Sequence, residues 1–406
     1  MKGSCMVLQS GGPTSVINSS LYGVITQSLK EENITNIYGS LNGIEGIINN
    51  NIICLNNQPD LELLLTTPGA ILGSSRKCLP SDFKDEVYNK ILETLKKLDV
   101  RFLFLIGGND SMDTANKLSI YFKKVGYECY VIGVPKTVDN DLVETDHTPG
   151  YGSAVKYIAN VLSEIEQDIC CYKKGKVTVV EIMGRDAGWM TAGSKLASLN
   201  GNGPDLIYLP ETPFDYEDFL NKVNEIYSNK QYVLVAISEG IKDTEGQYVA
   251  TKNSSSTTKD LFNHVQLGGA ASYLVSLVKS RLNLPIRSVE LNLPQRCASH
   301  LASLTDITEA KKCGMYAVKC AVKGTTGKMI SMKRISTFPY KIKYCTVSLK
   351  KIANNVKEFP SAWIIGGCNI SNEFIEYVLP LINKEPRVKY EKGLIKFAKL
   401  IKNKVE

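Results

Sequence analysis

The stretch FLFLIGGNDSMDTANKL, Phe102 to Leu118, decides the fold class of this 406-residue chain. Five consecutive apolar residues, Phe102 to Ile106, have the length and unbroken hydrophobicity of a strand covered on both faces. Two glycines stop the run, and apolar residues then recur at helical spacing through about residue 125. The same strand–turn–helix unit repeats outward from it. Further candidate strands are Cys5–Gln9, Tyr130–Val134, Lys176–Ile182, Asp205–Leu209, Tyr232–Ile237 and Ser288–Leu293. Helical patterns lie near 16–30, 84–97, 152–167, 187–199, 216–228, 260–282 and 300–323. Such alternation implies an α/β chain with mostly parallel sheets covered by helices, and the length implies two lobes or three. In sheets of this kind ligands bind outside the carboxyl ends of the strands, so the turns after strands are where chemistry is expected.

Composition excludes several classes. Hydrophobic residues are 43% and charged residues 22%, as in soluble globular proteins. No apolar run approaches the roughly 20 residues of a membrane helix, and the N-terminal apolar stretch is too short for a signal-peptide core, so a cytoplasmic protein is expected. The net charge of +7 is spread along the chain without a basic arm, which argues against nucleic acid as partner. Eleven cysteines without a CxxC pair suggest free thiols in a reducing compartment. His147, His264 and His300 share no metal-ligand spacing and read as ordinary polar residues. Arginine is scarce, confined to positions 76, 101, 185, 281, 287, 296, 334 and 387 among 48 cationic residues. Because arginine grips phosphate with a two-pronged fork, each of these is a candidate anion contact. The polar stretch Lys242–Lys259 reads as a loop.

Four turns stand out. In SGGPTSVIN, Ser10 to Asn18, Gly11 and Gly12 lie between a strand and a helix start, which suits either an anion or simply a tight turn. In IGGNDS, Asn109 and Asp110 follow Gly107 and Gly108; a carboxylate there suits Mg²⁺ shared with phosphate oxygens, or a helix N-cap. In GVPKTVDNDL, Lys136, Thr137, Asp139 and Asp141 crowd together, either as an acid–base and metal cluster or as a solvated acidic loop. In VVEIMGRDAGW, Arg185 sits after Met183 and Gly184, where it clamps a moving phosphoryl group or caps a turn. SEG, Ser238 to Gly240, follows another strand, and Arg287 and Arg296 flank the strand at Ser288–Leu293.

Taken in order, GGPTSVIN, ILGSSR, GGNDS, PKTVDND, MGRDAGW, SEG and R-x₇-QR resemble the motif series of the phosphofructokinase family through roughly residue 370. VETDHTPGYGSAVKYIA and VELNLPQRCASHLASLTD look like a bacterial group within its pyrophosphate-dependent branch. The resemblance implies two Rossmann-like lobes with the active site between them. A donor lobe for pyrophosphate and Mg²⁺ would comprise 1–150 plus about 295–345, and a fructose 6-phosphate lobe with C-terminal interface helices 151–294 plus about 346–406.

Carried over residue by residue, the resemblance makes Asp139 the base that takes the C1 hydroxyl proton, with Thr137 and Asp141 beside it. Arg185 would bridge the moving phosphoryl group, while Met183 and Gly184 line the sugar and Glu239 holds its hydroxyls. Arg287 and Arg296 would grip the 6-phosphate. One such contact usually comes from a neighbouring subunit, which implies a homodimer or homotetramer with shared sites. At another cross-subunit arginine position this chain has Lys176. Gly11, Gly12, Gly108 and Arg76 would contact the donor phosphates.

Members that use ATP have glycine where this chain has Asp110 and Lys136. Asp110 places a carboxylate where a nucleotide α-phosphate would lie, and Lys136 reaches the leaving phosphate; together they favour pyrophosphate. Asn109 replaces the family's metal-site aspartate, so Mg²⁺ would be held through Asn109 or Asp110. Tyr22, Thr26 and Gln58 replace the arginines that bind allosteric effectors in bacterial ATP enzymes. Rival readings are an ATP-dependent enzyme, a non-catalytic regulatory subunit, disfavoured because Asp139, Asp141, Arg185 and Glu239 are in place, and a dinucleotide oxidoreductase, disfavoured by the lack of GxGxxG after the first strand.

Overall fold

The computed structural model describes residues 1–201, 203–253, 268–353 and 355–405. Its longer strands, in chain order, are β1 (Gly3–Gln9), β2 (Ile34–Ser40), β3 (Ile52–Cys54), β4 (Val100–Gly107), β5 (Tyr130–Pro135), β6 (Val177–Ile182), β7 (Leu206–Tyr208), β8 (Val233–Ser238), β9 (Ile286–Glu290), β10 (Lys328–Ser336) and β11 (Lys341–Ser348). They fall into two compact units. The first comprises Met1–Ser153, Arg296–Val356 and Asn383–Glu406, the second Ala154–Gln295 and Lys357–Ile382.

The first unit holds a sheet of order β11-β10-β5-β4-β1-β2-β3, parallel from β2 through β10 with antiparallel strands at both edges. The unbroken apolar run of β4 is explained by its neighbours on both faces. Phe102, Phe104 and Ile106 enter one core, with Ile17, Leu21 and Val24 of helix Ile17–Ser28 and Ala317 and Val318 of helix Leu304–Val322. Leu103 and Leu105 enter a second core on the opposite face, with Ile91 and Leu95 of helix Glu86–Lys97 and Met112 and Leu118 of helix Asn109–Lys124. β1 divides in the same way, Cys5 and Val7 to one side and Met6 and Leu8 to the other. The second unit has the all-parallel order β7-β8-β6-β9, whose valines 177, 179, 233 and 235 pack with helices Tyr216–Lys230 and Ala270–Leu282.

The α/β reading therefore matches the structure, while several details differ from the sequence reading. Residues 346–356 and 383–406, which that reading ran with the second lobe, lie in the first unit. The tail's backbone donors find acceptors there: Ala398 N–H donates to Thr67 Oγ1 at 2.8 Å, Ile401 N–H to Gln58 Oε1 at 2.7 Å, and Val405 N–H to Ile52 O at 2.9 Å. The pattern near 187–199 is a four-residue helix, Trp189–Ala192, followed by a 3₁₀ stretch, Gly193–Asn200. Of the loop at 242–259 and the helix at 260–282, residues 254–267 lie outside the described residues, as does His264. Among the described residues no helix is long and apolar enough to cross a membrane.

Candidate active site

Every strand-end turn singled out in the first unit lies at the carboxyl edge of its sheet. After β1, Gly11 adopts φ +76°, a left-handed conformation that a side chain strains, and a Cβ there would stand 3.3 Å from Lys136 Nζ. The turn is braced by the segment bearing Arg76: Ser74 Oγ donates to Gly11 O at 2.6 Å, and Gly11 N–H to Ser75 O at 3.3 Å. After β4, helix Asn109–Lys124 begins with Gly108 at its N-cap, so Asp110 is not the cap but an exposed carboxylate in the first turn.

After β5 the chain turns at Lys136, whose N–H donates to Gly107 O at 3.0 Å. The lysine side chain is 3% exposed, and its ammonium donates to Gly12 O at 2.6 Å. Burial is the main reason its pKa falls to about 8. Asp139 and Asp141 oppose that shift, and the positive charges of Arg296 and Arg76 reinforce it. Lys136 thus lies within electrostatic reach of four of the predicted site residues. Asp139 accepts a hydrogen bond from Thr137 Oγ1 at 3.2 Å and returns one from its own N–H at 3.1 Å. The next residue, Asn140, is fully buried at φ +53°, and its Oδ1 accepts from Thr148 N–H at 3.1 Å.

Arg296 belongs to the first unit, where its Nη1 lies 3.1 Å from where a Cβ on Gly12 would stand. The structure therefore groups Arg296 with the glycine turn and Lys136, a proximity its sequence position does not reveal.

In the second unit, Met183, Gly184 and Arg185 follow β6 and Glu239 follows β8, adjacent parallel strands, so all four share one carboxyl edge. Gly184 N–H donates to Glu239 Oε1 at 3.3 Å, and Ser238 Oγ donates to Gly184 O. Gly240 is required by close approach, since any Cβ there would collide with Arg185 O. Lys176 and Arg287 lie at the opposite edge. Lys176 precedes β6, and Arg287 pairs with Thr178 near the start of β9. The five residue steps from Thr178 to Met183 span about 16 Å of strand. Arg287 Nη2 pairs with Asp168 at 2.9 Å and its Nε donates to Thr178 Oγ1 at 3.3 Å, so within one chain it does not join Glu239.

Among the described residues no group of three or more His, Cys, Asp or Glu side chains could hold a metal. Asn109 Oδ1 is buried and has no hydrogen-bond partner among the described residues, while its Nδ2 donates to Asp141 Oδ2 at 3.2 Å. A hard oxygen left without a donor, on an amide bonded to the Asp141 carboxylate, fits Mg²⁺, which takes few protein ligands when phosphate oxygens supply others.

Two features escaped the sequence reading. Gln295 is 2% exposed; its Oε1 accepts from Met183 N–H at 3.3 Å, and its Nε2 has no partner among the described residues. Its place in the QR pair was the available signal. A buried amide pair also supports the glycine turns: Asn18 donates to Thr67 O at 2.8 Å and Gly69 O at 2.7 Å, and accepts from Gln9 Nε2 at 2.8 Å and Ile71 N–H at 3.1 Å. Asn18→Ala is expected to lower stability by about 3 kcal/mol, because it strands several buried polar groups. Urea unfolding monitored by far-UV circular dichroism measures this, and a loss under about 1 kcal/mol would contradict it.

Known proteins resemble this chain over nearly its whole length. The phosphofructokinase family model matches residues 4–291. A pyrophosphate–fructose 6-phosphate 1-phosphotransferase from Xanthomonas campestris pv. campestris is 38% identical over 98% of this chain and 96% of its own. A sulfofructose kinase from Alkalicoccus urumqiensis is 33% identical over 92% of this chain and 94% of its own. The crystal structure of a pyrophosphate-dependent phosphofructokinase from Nitrosospira multiformis superposes with a TM-score of 0.91 at 35% identity, covering 100% of this chain and 98% of the other. With its strand-end turns, its two larger sheets and a match over nearly its whole length, this chain belongs to the phosphofructokinase family.

Proposed function

We propose that this chain transfers a phosphoryl group reversibly from pyrophosphate to the C1 hydroxyl of fructose 6-phosphate, giving fructose 1,6-bisphosphate and phosphate. The observation that carries the reading is the Lys136 ammonium lodged against the Gly11–Gly12 turn, with Asp110 standing in the neighbouring first helical turn. The first unit is the donor side and the second the sugar-phosphate side. Pyrophosphate is gripped by the turns at Gly11, Gly12 and Gly108 and by Arg76, and fructose 6-phosphate by Met183, Gly184 and Glu239, with Arg296 of the first unit gripping its 6-phosphate. Asp139, backed by Thr137 and Asp141, takes the C1 hydroxyl proton as that oxygen forms its bond to the near phosphorus and the bridging P–O bond breaks. Arg185 spans the transferring group, and Lys136 offsets the charge gathering on the departing phosphate. Asn109 or Asp110 would hold Mg²⁺, which would supply positive charge against the phosphate oxygens. Arg287 and Lys176, at the far edge of their sheet, serve the site of a second copy in a homodimer or homotetramer in the cytoplasm.

The test is a donor assay with fructose 6-phosphate and Mg²⁺ against pyrophosphate or ATP. Sulfofructose serves as an alternative acceptor because of the relative of that name. Pyrophosphate is expected to be the efficient donor. Its kcat/KM should fall as pH rises through about 8, because Lys136 of the free enzyme then loses the proton that makes it cationic. Preference for ATP overturns the reading.

A further inference from the structure

We infer that His147 is a positioning residue for Asp139: its imidazole, clasped between two carboxylates, holds the loop that carries the base. The inference rests on the reading of Asp139 above and assigns a role to a histidine that the sequence presents as an ordinary polar residue. In the structure its side chain is 1% exposed. Nδ1 lies 2.7 Å from Asp146 Oδ1 and Nε2 lies 2.7 Å from Glu309 Oε2.

Both neighbours are themselves tied to the β10–β11 hairpin. Asp146 Oδ1 accepts from Arg334 Nη2 of β10 at 2.9 Å, and Glu309 Oε1 accepts from Tyr340 O–H at 2.7 Å. The Arg334 guanidinium stacks 5.2 Å from the Tyr340 ring centroid, closing the cluster. Two cations and two anions balance, as buried charge requires.

The clasp transmits to Asp139 through the residue next to His147. Thr148 Oγ1 donates to Thr137 O at 2.9 Å and Thr148 N–H donates to Asn140 Oδ1 at 3.1 Å. These bonds grip the loop on both sides of Asp139. On the other flank, Asp146 N–H donates to Met332 O at 2.8 Å and Thr145 Oγ1 donates to His147 O at 3.1 Å. A loop fixed this way presents one rotamer of its base, and small displacements at a reacting centre cost large rate factors.

Chemistry fixes the protonation state. Each carboxylate is an acceptor, so both ring nitrogens must donate, which only the imidazolium does. Burial alone would lower the His147 pKa, but Glu309 and Asp146 outweigh it and raise it to about 9. The other groups facing the cluster are Asp306 and Cys313 on the helix of Glu309, and Tyr344 on β11. Burial raises the pKa of all three. Because the folded value lies above the ordinary 6.5, the clasp is fully present below that pH and is lost as pH rises through about 9.

His147→Gln is compared with wild type and Asp139→Asn in the pyrophosphate assay at pH 7.5, with rates normalised to folded enzyme. The expected result is a kcat at least tenfold lower with KM for both substrates within about threefold. A merely structural residue would reduce folded yield and leave kcat unchanged. Wild-type kcat in folded His147→Gln, alongside a slow Asp139→Asn, overturns this inference alone; a fast Asp139→Asn overturns the base assignment and this inference with it. Glu309→Gln, which keeps the imidazole and its Asp146 contact, replaces His147→Gln if the latter does not fold. NMR of the wild-type imidazole adds a readout independent of activity: titration well above 6.5 supports the clasp, and titration at or below 6.5 overturns it.

Discussion

Replacing Asp139 with Asn lowers kcat for phosphoryl transfer by about 10² to 10⁴-fold, roughly 3 to 5 kcal/mol of transition-state stabilisation. The substitution is close to isosteric, so the Thr137 hydroxyl still finds an oxygen acceptor and the buried Asn140 beside it keeps its bond to Thr148. What disappears is the ability to take a proton from the attacking hydroxyl. Binding of pyrophosphate, which the reading places on the glycine turns and Lys136, should change little, so the loss falls in kcat with KM for pyrophosphate nearly unchanged. Steady-state kinetics with both substrates measure this. A fall under tenfold would mean that another group carries the proton.

The second large effect is on donor choice. Changing both Asp110 and Lys136 to Gly should cut kcat/KM for pyrophosphate by about 10³-fold, because a buried cation beside the leaving phosphate acts like an oxyanion donor. The same pair of changes removes an exposed carboxylate from the first turn of helix Asn109–Lys124 and vacates the space beside Gly11 that the lysine amine fills. ATP turnover should therefore rise from background in the double variant, as the like-charge penalty against a nucleotide's inner phosphate is relieved. Unchanged pyrophosphate turnover together with no gain for ATP would show that donor choice is set elsewhere. The single variants separate the two roles: Asp110→Gly alone should relax discrimination, and Lys136→Gly alone should slow pyrophosphate use.

What the sequence discloses, and what it hides, follows from how far apart the interacting residues stand. β4 and β1 were legible because parallel central strands are apolar on both sides, leaving no polar alternation to confuse them. β10 and β11 were missed because their lysines sit on a half-exposed antiparallel edge and break the apolar run, and β2 for similar reasons of partial exposure. The strand-end turns were legible because glycine followed by an acid or a cation at such a place has few other uses. The supports of those turns were not. Asn18 reaches residues 49 and 51 positions away, and His147 meets Glu309 across 162 positions. Nothing local marks such pairs, and a lone histidine or asparagine in a sequence looks like any other surface residue. Gln58 shows the same blindness. Read as a replacement for an effector-binding arginine, it uses its amide to hold the carbonyls of Cys54 and Ile401, securing the chain's last segment.

That last segment bears on how the molecule is made. The first unit draws on three separate stretches of chain, with the second unit's residues interposed between them. On a ribosome, the strands β1 to β5 emerge long before β10 and β11 can cover their open edge, and the segment that docks on Thr67 and Gln58 emerges later still. A nascent chain therefore carries an exposed sheet edge through most of its synthesis, the circumstance in which chaperones engage and off-pathway association begins. The second unit, nearly contiguous and all-parallel, has most of its sequence in hand by residue 295 and is the part able to close while translation is still under way.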